Sequence, residues 1–386
     1  LQPTIDFLFF DAGGGHRAAA TALQMAFESQ QRPFRTRLVH LQDILAPVDV
    51  FKKVLRIDLQ EIYNQMLRRG WTLGSPQGLR FMQQVIRAFH EAEVRLLREW
   101  FRRDPPDMLV SVIPNFNRAA REGFLAAAPG RPYVTVLTDL ADYPPRFWIE
   151  REPQYFICGT ERAEAQALAM GHPKERVFRT SGMVLHPRFY SIPEIDRAAE
   201  RTRLGLDPAK TTALVLFGGF GSRVMRRVLE ELDGSGLDLQ AIFICGRNEE
   251  LKQALEASPA RLRRVVTGFT TEVPYYMKLA DFFIGKPGPG SVSEAVHLGL
   301  PVITVSNALT LPQERYNAVW LEENGLGMLL KRFGHLGQAA RTLLAGNTLA
   351  RFKENCQKLK NRAVFEIPEI LENIHRQHES NPIRKD

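Results

Sequence analysis

Three times in this chain an apolar run stops at a cluster of glycines and a helix-forming stretch begins. The first case runs from Ile5 to Ala20, with Gly13-Gly14-Gly15-His16 at the turn. The second runs from Leu214 to Val228, with Gly218-Gly219-Phe220-Gly221-Ser222. The third has Lys286-Pro287-Gly288-Pro289-Gly290-Ser291 between an apolar strand and a helix carrying Glu294. A strand that enters a glycine turn and then a helix leaves bare backbone N–H groups and the positive end of a helix dipole at one spot. That is a site for a phosphate or diphosphate. Three such junctions predict an α/β protein made of two nucleotide-fold halves that face each other across a cleft.

Strands alternate with helices along most of the chain, which predicts parallel sheets with crossover helices. In the first half the predicted strands are 5–10, 35–40, 108–113, 133–138 and 154–158. In the second they are 213–217, 239–245, 264–267, 281–284, 301–305 and 327–330. From Val50 to Arg103 long basic amphipathic helices are expected, broken near Gly70 to Gly78. The polar stretch 185–198 reads as a linker. The expected domains are therefore 1–185, 186–347 and a C-terminal pair of helices, 348–386, broken at Pro368 and packing back toward the first domain. A chain of 386 residues is too long for one ordinary core, which agrees with two domains.

Net charge is +8, and much of the excess lies in Lys52, Lys53, Arg56, Arg68, Arg69 and the arginines up to Arg103. Such a face suits an anionic partner, nucleic acid or acidic lipid headgroups. Between Val50 and Trp71 apolar residues accompany these cations, the composition of a helix lying in a membrane interface. The alternative is an ordinary helix packed on its own domain. No apolar run is long enough to span a bilayer, and the opening Leu1-Gln2-Pro3 gives no expectation of a secretory peptide. Cys158, Cys245 and Cys356 lie far apart without metal-ligand spacing and read as inert buried thiols.

In the third junction, Gly290 and Ser291 at the helix start would hold a diphosphate, and Glu294 would accept hydrogen bonds from a ribose diol. Ser291-Val292-Ser293-Glu294 is equally a capping box, which stabilises a helix start and nothing more. Gln313, Glu314 and Asn317 follow the next strand at its C-terminal end, where ligands of α/β proteins bind. They can hold sugar hydroxyls. The turn with Gly219 would converge on the same ligand. Near the N-terminus, Gly13 to Ala18 formally fits the dinucleotide pattern Gly-x-Gly-x-x-Ala, which leaves an NAD-linked enzyme as one alternative. The acidic residue that should end the second strand is missing there, since the run ends Leu38-Val39-His40 and Asp43 comes late. His16 is instead the candidate base: at a helix N-terminus the dipole disfavours the imidazolium and keeps the ring neutral. It could also merely cap or fill the turn. Asp139 and Asp142 read as loop caps, so no metal is expected.

Taken together, these residues resemble the glycosyltransferases that include monogalactosyldiacylglycerol synthases, processive diacylglycerol glucosyltransferases and MurG, family 28. The resemblance is carried by Asp11-Ala12-Gly13-Gly14-Gly15-His16-Arg17-Ala18, by Lys286 to Ser291 with Glu294-Ala295 and Gly299-Leu300-Pro301, and by Pro312-Gln313-Glu314 with Asn317. Tyr63-Asn64 to Arg68-Arg69-Gly70-Trp71 looks like the acceptor-side segment of the galactolipid enzymes. The resemblance implies a GT-B fold of two Rossmann-like domains. It implies an inverting transfer of a hexose from UDP-galactose or UDP-glucose to diacylglycerol or a related lipid, without cofactor or metal and without nucleic acid. The place implied is the cytoplasmic face of the cell membrane, peripherally bound. By position, His16 would be the base, with Gly15 beside it. Gly219, Gly290 and Ser291 would lie at the diphosphate, Phe269 beside the uracil, Glu294 at the ribose, and Gln313, Glu314 and Asn317 at the sugar. Two departures stand out. His186 in Leu185-His186-Pro187 replaces a family arginine, and Tyr143 to Trp148 replaces a His and Trp pattern. A non-catalytic UDP-sugar-binding protein is the further alternative.

Overall fold

The computed structural model describes residues 2–11, 14–46, 76–308 and 310–380, with 76–88 described by backbone alone. The expected interfacial helix at Val50 to Trp71 and the acceptor-side segment from Tyr63 lie outside the described residues. Those that are described divide into two compact units: one holds the chain up to Pro187 together with Asn361 onward, the other Arg188–Lys360.

The first unit contains β1 (Thr4–Phe9), α1 (Gly15–Ser29), β2 (Arg35–His40), α2 (Leu41–Leu45), α3 (Pro76–Arg103), β3 (Met108–Ser111), α4 (Asn117–Ala127), β4 (Tyr133–Val136), β5 (Tyr155–Cys158), α5 (Glu161–Ala169) and β6 (Val177–Arg179). Its strands run parallel in the order β2-β1-β3-β4-β5-β6, with Phe7 opposite both Leu38 and Val110. β1 is buried after its first residue because helices cover both sheet faces, so it reads as an unbroken apolar run. α1 buries an Ala-rich face (Ala19, Ala20, Ala22, Leu23, Ala26, Phe27), which lets it lie close to the sheet.

The second unit contains α6 (Arg197–Arg203), β7 (Thr211–Leu216), α7 (Val224–Asp233), β8 (Leu239–Ile244), α8 (Glu249–Glu256), β9 (Arg264–Thr267), α9 (Val273–Leu279), β10 (Phe282–Gly285), α10 (Pro289–His297), β11 (Val302–Val305), α11 (Pro312–Glu323), β12 (Gly327–Leu330), α12 (Leu336–Leu344) and α13 (Thr348–Lys358). The sheet is parallel, in the order β12-β11-β10-β7-β8-β9. Side chains alternate across it. Ala213, Val215, Phe243 and Ile284 enter the core on one face, and Leu214, Leu216, Ile242 and Phe283 the core on the other.

In both sheets the chain starts in the middle and winds outward before crossing back. The reversal falls between β1 and β3 in the first unit and between β7 and β10 in the second. At such a switch point the loops leave in opposite directions and open a crevice at the strand C-termini. The architecture is a two-domain α/β GT-B fold.

Three elements depart from the sequence expectations. β6 adds an edge strand beside β5 that three residues could not announce. Gly78 lies inside α3, which starts at Pro76, and does not break it. Pro368 lies inside α14 (Ala363–Ser380), while the break in the tail falls at residues 359–362. Burial of Val364, Ile367 and Leu371 offsets the hydrogen bond that the proline forfeits. Asn361 makes the turn, its Nδ2 donating to the Met183 carbonyl at 2.9 Å and its Oδ1 accepting from the Ala363 N–H at 3.0 Å. α14 then packs along α1. Gln30 donates to the Phe365 carbonyl (2.9 Å), Arg32 pairs with Glu372 (2.7 Å), and the Phe34 and His375 rings meet edge to face. α13 belongs to the second unit.

Candidate active site

His16 stands in the first turn of α1, directly after the glycine turn that leaves β1, and so at the switch point of the first sheet. Gly14 before it has φ 82°, a conformation that glycine adopts without steric cost. The His16 Nδ1 lies 2.8 Å from the Val112 carbonyl oxygen, just beyond β3, and 3.2 Å from the Thr138 hydroxyl, beyond β4. A carbonyl can only accept, so the neutral ring carries its proton on Nδ1 and keeps its lone pair on Nε2. Burial pushes the imidazole down to about 4, against the raising effect of the Val112 hydrogen bond. The sequence argument expected a neutral ring from the helix dipole; desolvation is the larger cause in the fold. Gly15 beside it is open, with no atom within 4 Å of where a Cβ would stand.

Behind His16 lies a support that the sequence did not disclose. The Trp148 ring, fully buried, sits 5.9 Å from the imidazole, and its Nε1 donates to Asp139 at 2.8 Å. Asp142 accepts backbone N–H groups of Arg146, Phe147 and Trp148 at 2.6–2.9 Å. Both carboxylates therefore shape the loop that carries Trp148, which agrees with the expected caps. Neither reaches the imidazole Nδ1, which a carbonyl and a hydroxyl hold.

At the switch point of the second sheet two glycine turns come together. Gly218, with φ 78°, follows β7, and Gly219 beyond it is exposed with no neighbour within 4 Å of a Cβ position. Gly246 packs under this turn so closely that any Cβ would strike the Gly219 oxygen at 2.3 Å. From the other side, α10 begins at Pro289 after Gly288, with Gly290 exposed in its first turn. Because the helix starts before Ser291, the Ser291–Glu294 capping box does not form, and no side chain caps Gly288. The Glu294 carboxylate has no hydrogen-bond partner among the described residues. Burial pushes it up to about 7, opposed by the charge of Arg188. A partly buried carboxylate without a donor is poised for a ligand that brings hydroxyl groups.

The remaining expected residues separate. Phe269 is 56% exposed, and the Arg247 guanidinium stands 4.8 Å over its ring. The Arg247 N–H donates to the Gly219 oxygen at 2.9 Å, which ties this aromatic to the glycine turn. Gln313 is half-buried at the start of α11. Glu314 is buried and accepts from Lys286 Nζ at 2.8 Å. Asn317 is fully buried, and its Nδ2 donates to the Pro287 carbonyl at 2.8 Å. Its Nδ2 thereby fixes the backbone of the third glycine turn, while its buried Oδ1 has no hydrogen-bond partner among the described residues. Sequence reasoning also missed Arg188, two residues past His186, which donates to the Thr271 carbonyl at 3.0 Å and lies close enough to bias Glu294.

Residues 212–360 match the glycosyltransferase family 28 C-terminal domain. The second unit carries a family 28 glycosyltransferase C-terminal domain. Monogalactosyldiacylglycerol synthase 1 of Arabidopsis thaliana is 26% identical over 398 residues, covering 97% of this chain and 72% of that protein. Processive diacylglycerol beta-glucosyltransferase of Staphylococcus saprophyticus is 30% identical over 200 residues, 51% of this chain and 49% of that one. Among solved structures, MurG of Acinetobacter baumannii superposes with a TM-score of 0.59 at 15% identity over 96% of this chain and 99% of its own. The S. aureus MnaA–UDP structure gives 0.60 at 16%, covering 99% and 98%. These last two speak for the fold. The family 28 match covers β7 to the end of α13, the part that holds Gly219, Glu294 and Glu314.

Proposed function

We propose that this chain is a family 28 glycosyltransferase that moves a hexose from UDP-galactose or UDP-glucose to the hydroxyl of diacylglycerol or a closely related lipid, with inversion. The observation that carries the reading is His16: Nδ1 is tied to a backbone carbonyl at a sheet switch point, which leaves Nε2 as a fixed, neutral proton acceptor. The first domain would bind the acceptor and the second the donor. Glu294 takes the ribose diol, the N–H groups around Gly219, Gly290 and Ser291 take the diphosphate, and Phe269 stands beside the uracil. The acceptor oxygen attacks the anomeric carbon while His16 Nε2 removes its proton. The bond from that carbon to the diphosphate oxygen breaks, and UDP leaves with the electron pair. Helix dipole and backbone N–H groups stabilise that charge, a role that other sugar transferases give to a metal. Relatives named for diacylglycerol support the lipid acceptor, and relatives along nearly the whole chain support it for the first domain too.

The protein would work on the membrane surface as a peripheral enzyme of the cytoplasmic face. Among the described residues no helix is long and apolar enough to cross a membrane. The experiment that tests the reading incubates purified protein with radiolabelled UDP-galactose or UDP-glucose and a lipid extract, with and without a chelator. Label in a neutral glycolipid, undiminished by chelation, is expected. No labelled lipid from either donor would sink the proposal, and chelator-sensitive labelling would sink its metal-free form.

A further inference from the structure

Lys286 is the first residue after β10, and Gly218 comes just after the neighbouring strand β7. A Cβ at Gly218 would stand 3.8 Å from Lys286 Cε. One at Gly288 would stand 3.3 Å from the same carbon and 3.7 Å from Nζ. The lysine side chain therefore runs between the two glycine turns at the switch point. Its Nζ donates to Glu314 Oε1 at 2.8 Å. The Lys286 side chain is 31% exposed and that of Glu314 only 8%, so the ammonium is the accessible end of the pair and the carboxylate its anchor.

Burying an ion pair costs desolvation that mutual attraction seldom repays, and a hydrophobic pair of equal volume often serves stability as well. The placement therefore calls for a reason other than stability. Glu314 fixes a long side chain that would otherwise lose rotamer freedom on meeting a ligand. The fixed cation lies where two sets of backbone N–H groups already favour an anion. We propose that Lys286, held by Glu314, is the cation that grips the donor diphosphate and stabilises it as the sugar leaves. This rests on the donor reading of the second domain. As the bond from the anomeric carbon to the diphosphate breaks, the electron pair stays on the phosphate oxygen beside the Lys286 ammonium. No proton moves there, since the acceptor proton goes to His16. Glu314 becomes a positioning residue instead of a sugar contact.

Calorimetry of the full chain with UDP and with uridine tests this. Lys286→Met should weaken UDP roughly 10- to 100-fold and leave uridine unchanged, while Lys286→Arg should keep most of the preference for UDP. Lys286→Met alone strands a buried carboxylate, so the double variant Lys286→Met with Glu314→Gln, its folding checked by thermal melting, should give the same selective loss. Parallel weakening of both ligands in the double variant, or no change in either, overturns the proposal. Wild type that binds uridine as tightly as UDP overturns it while sparing the donor site; wild type that binds neither takes both down. In turnover, Glu314→Gln should lower kcat more than it raises donor KM, because a loosened cation loses most where charge develops. An unchanged kcat would remove Glu314 from its positioning role.

Discussion

His16 and Glu294 both sit far from their ordinary acidity, and in directions that set different pH limits. As the proposed base, His16 has to be neutral. With its acidity at about 4, the ring is neutral throughout the ordinary range, so the acid limb of kcat should fall near 4 and well below an exposed histidine's 6.5. If Glu294 takes the ribose diol as proposed, donor binding needs it ionised to accept two hydroxyls. At about 7 in the free protein, it protonates on mild acidification, so UDP affinity should decline as pH drops through 7, and binding at pH 7 should release protons. Calorimetry in buffers of different ionisation enthalpy checks that release. His16→Ala should reduce transfer by ~10² or more while UDP still binds; unaltered turnover would remove the base. His16 and Glu294 could be named as candidates from the sequence because each stands beside a glycine turn. The partners of His16 were not: Val112 and Thr138 lie 96 and 122 positions along the chain, and only the strand order brings them to the ring. Asn317 could be named from the sequence as a candidate, but its hold on the Pro287 carbonyl could not, since a polar side chain can face a ligand or the turn beneath it from the same position.

Elements carry their own evidence. The strands were readable as apolar runs because both sheet faces are covered, and the edge strand β6 was not, being three residues ending in an arginine. The start of α10 shows how local pattern misleads. Ser-x-x-Glu fits a cap, yet Pro289 already starts the helix, and that shift leaves the Glu294 carboxylate without a capping role. At the head of β10, Asp281 gathers Arg197 and Arg201 of α6, Lys353 of α13 and the Thr212 N–H of β7. Burial alone would raise its pKa, but Lys353, the Thr212 N–H and Arg201 outweigh it and bring it down to about 2. A carboxylate depressed in the fold adds stability that is present above its unfolded value near 4 and lost as pH falls through 2. Asp281→Asn should therefore destabilise the second domain by ~3 kcal/mol near neutrality, read as a lower urea midpoint. The variant's disadvantage should shrink toward pH 2, and a constant difference across that range would reject the ion cluster as its source.

At the scale of the molecule, two parallel sheets each carry a glycine turn at their own reversal point. That plan was legible from three glycine junctions and the alternation of elements, because both follow from local rules. The net charge of +8 belongs to the whole chain. If the basic excess serves the membrane, vesicle binding should rise with the fraction of anionic lipid and fall as salt is added, since screening weakens such contacts. Binding indifferent to salt would reject that role. The division of the chain has a further effect. It leaves the first unit at Pro187 and returns at Asn361, so α14, which covers α1, is made only after the entire second unit. On a ribosome the second unit can complete itself first, while the unit that bears His16 must wait for α14 to emerge.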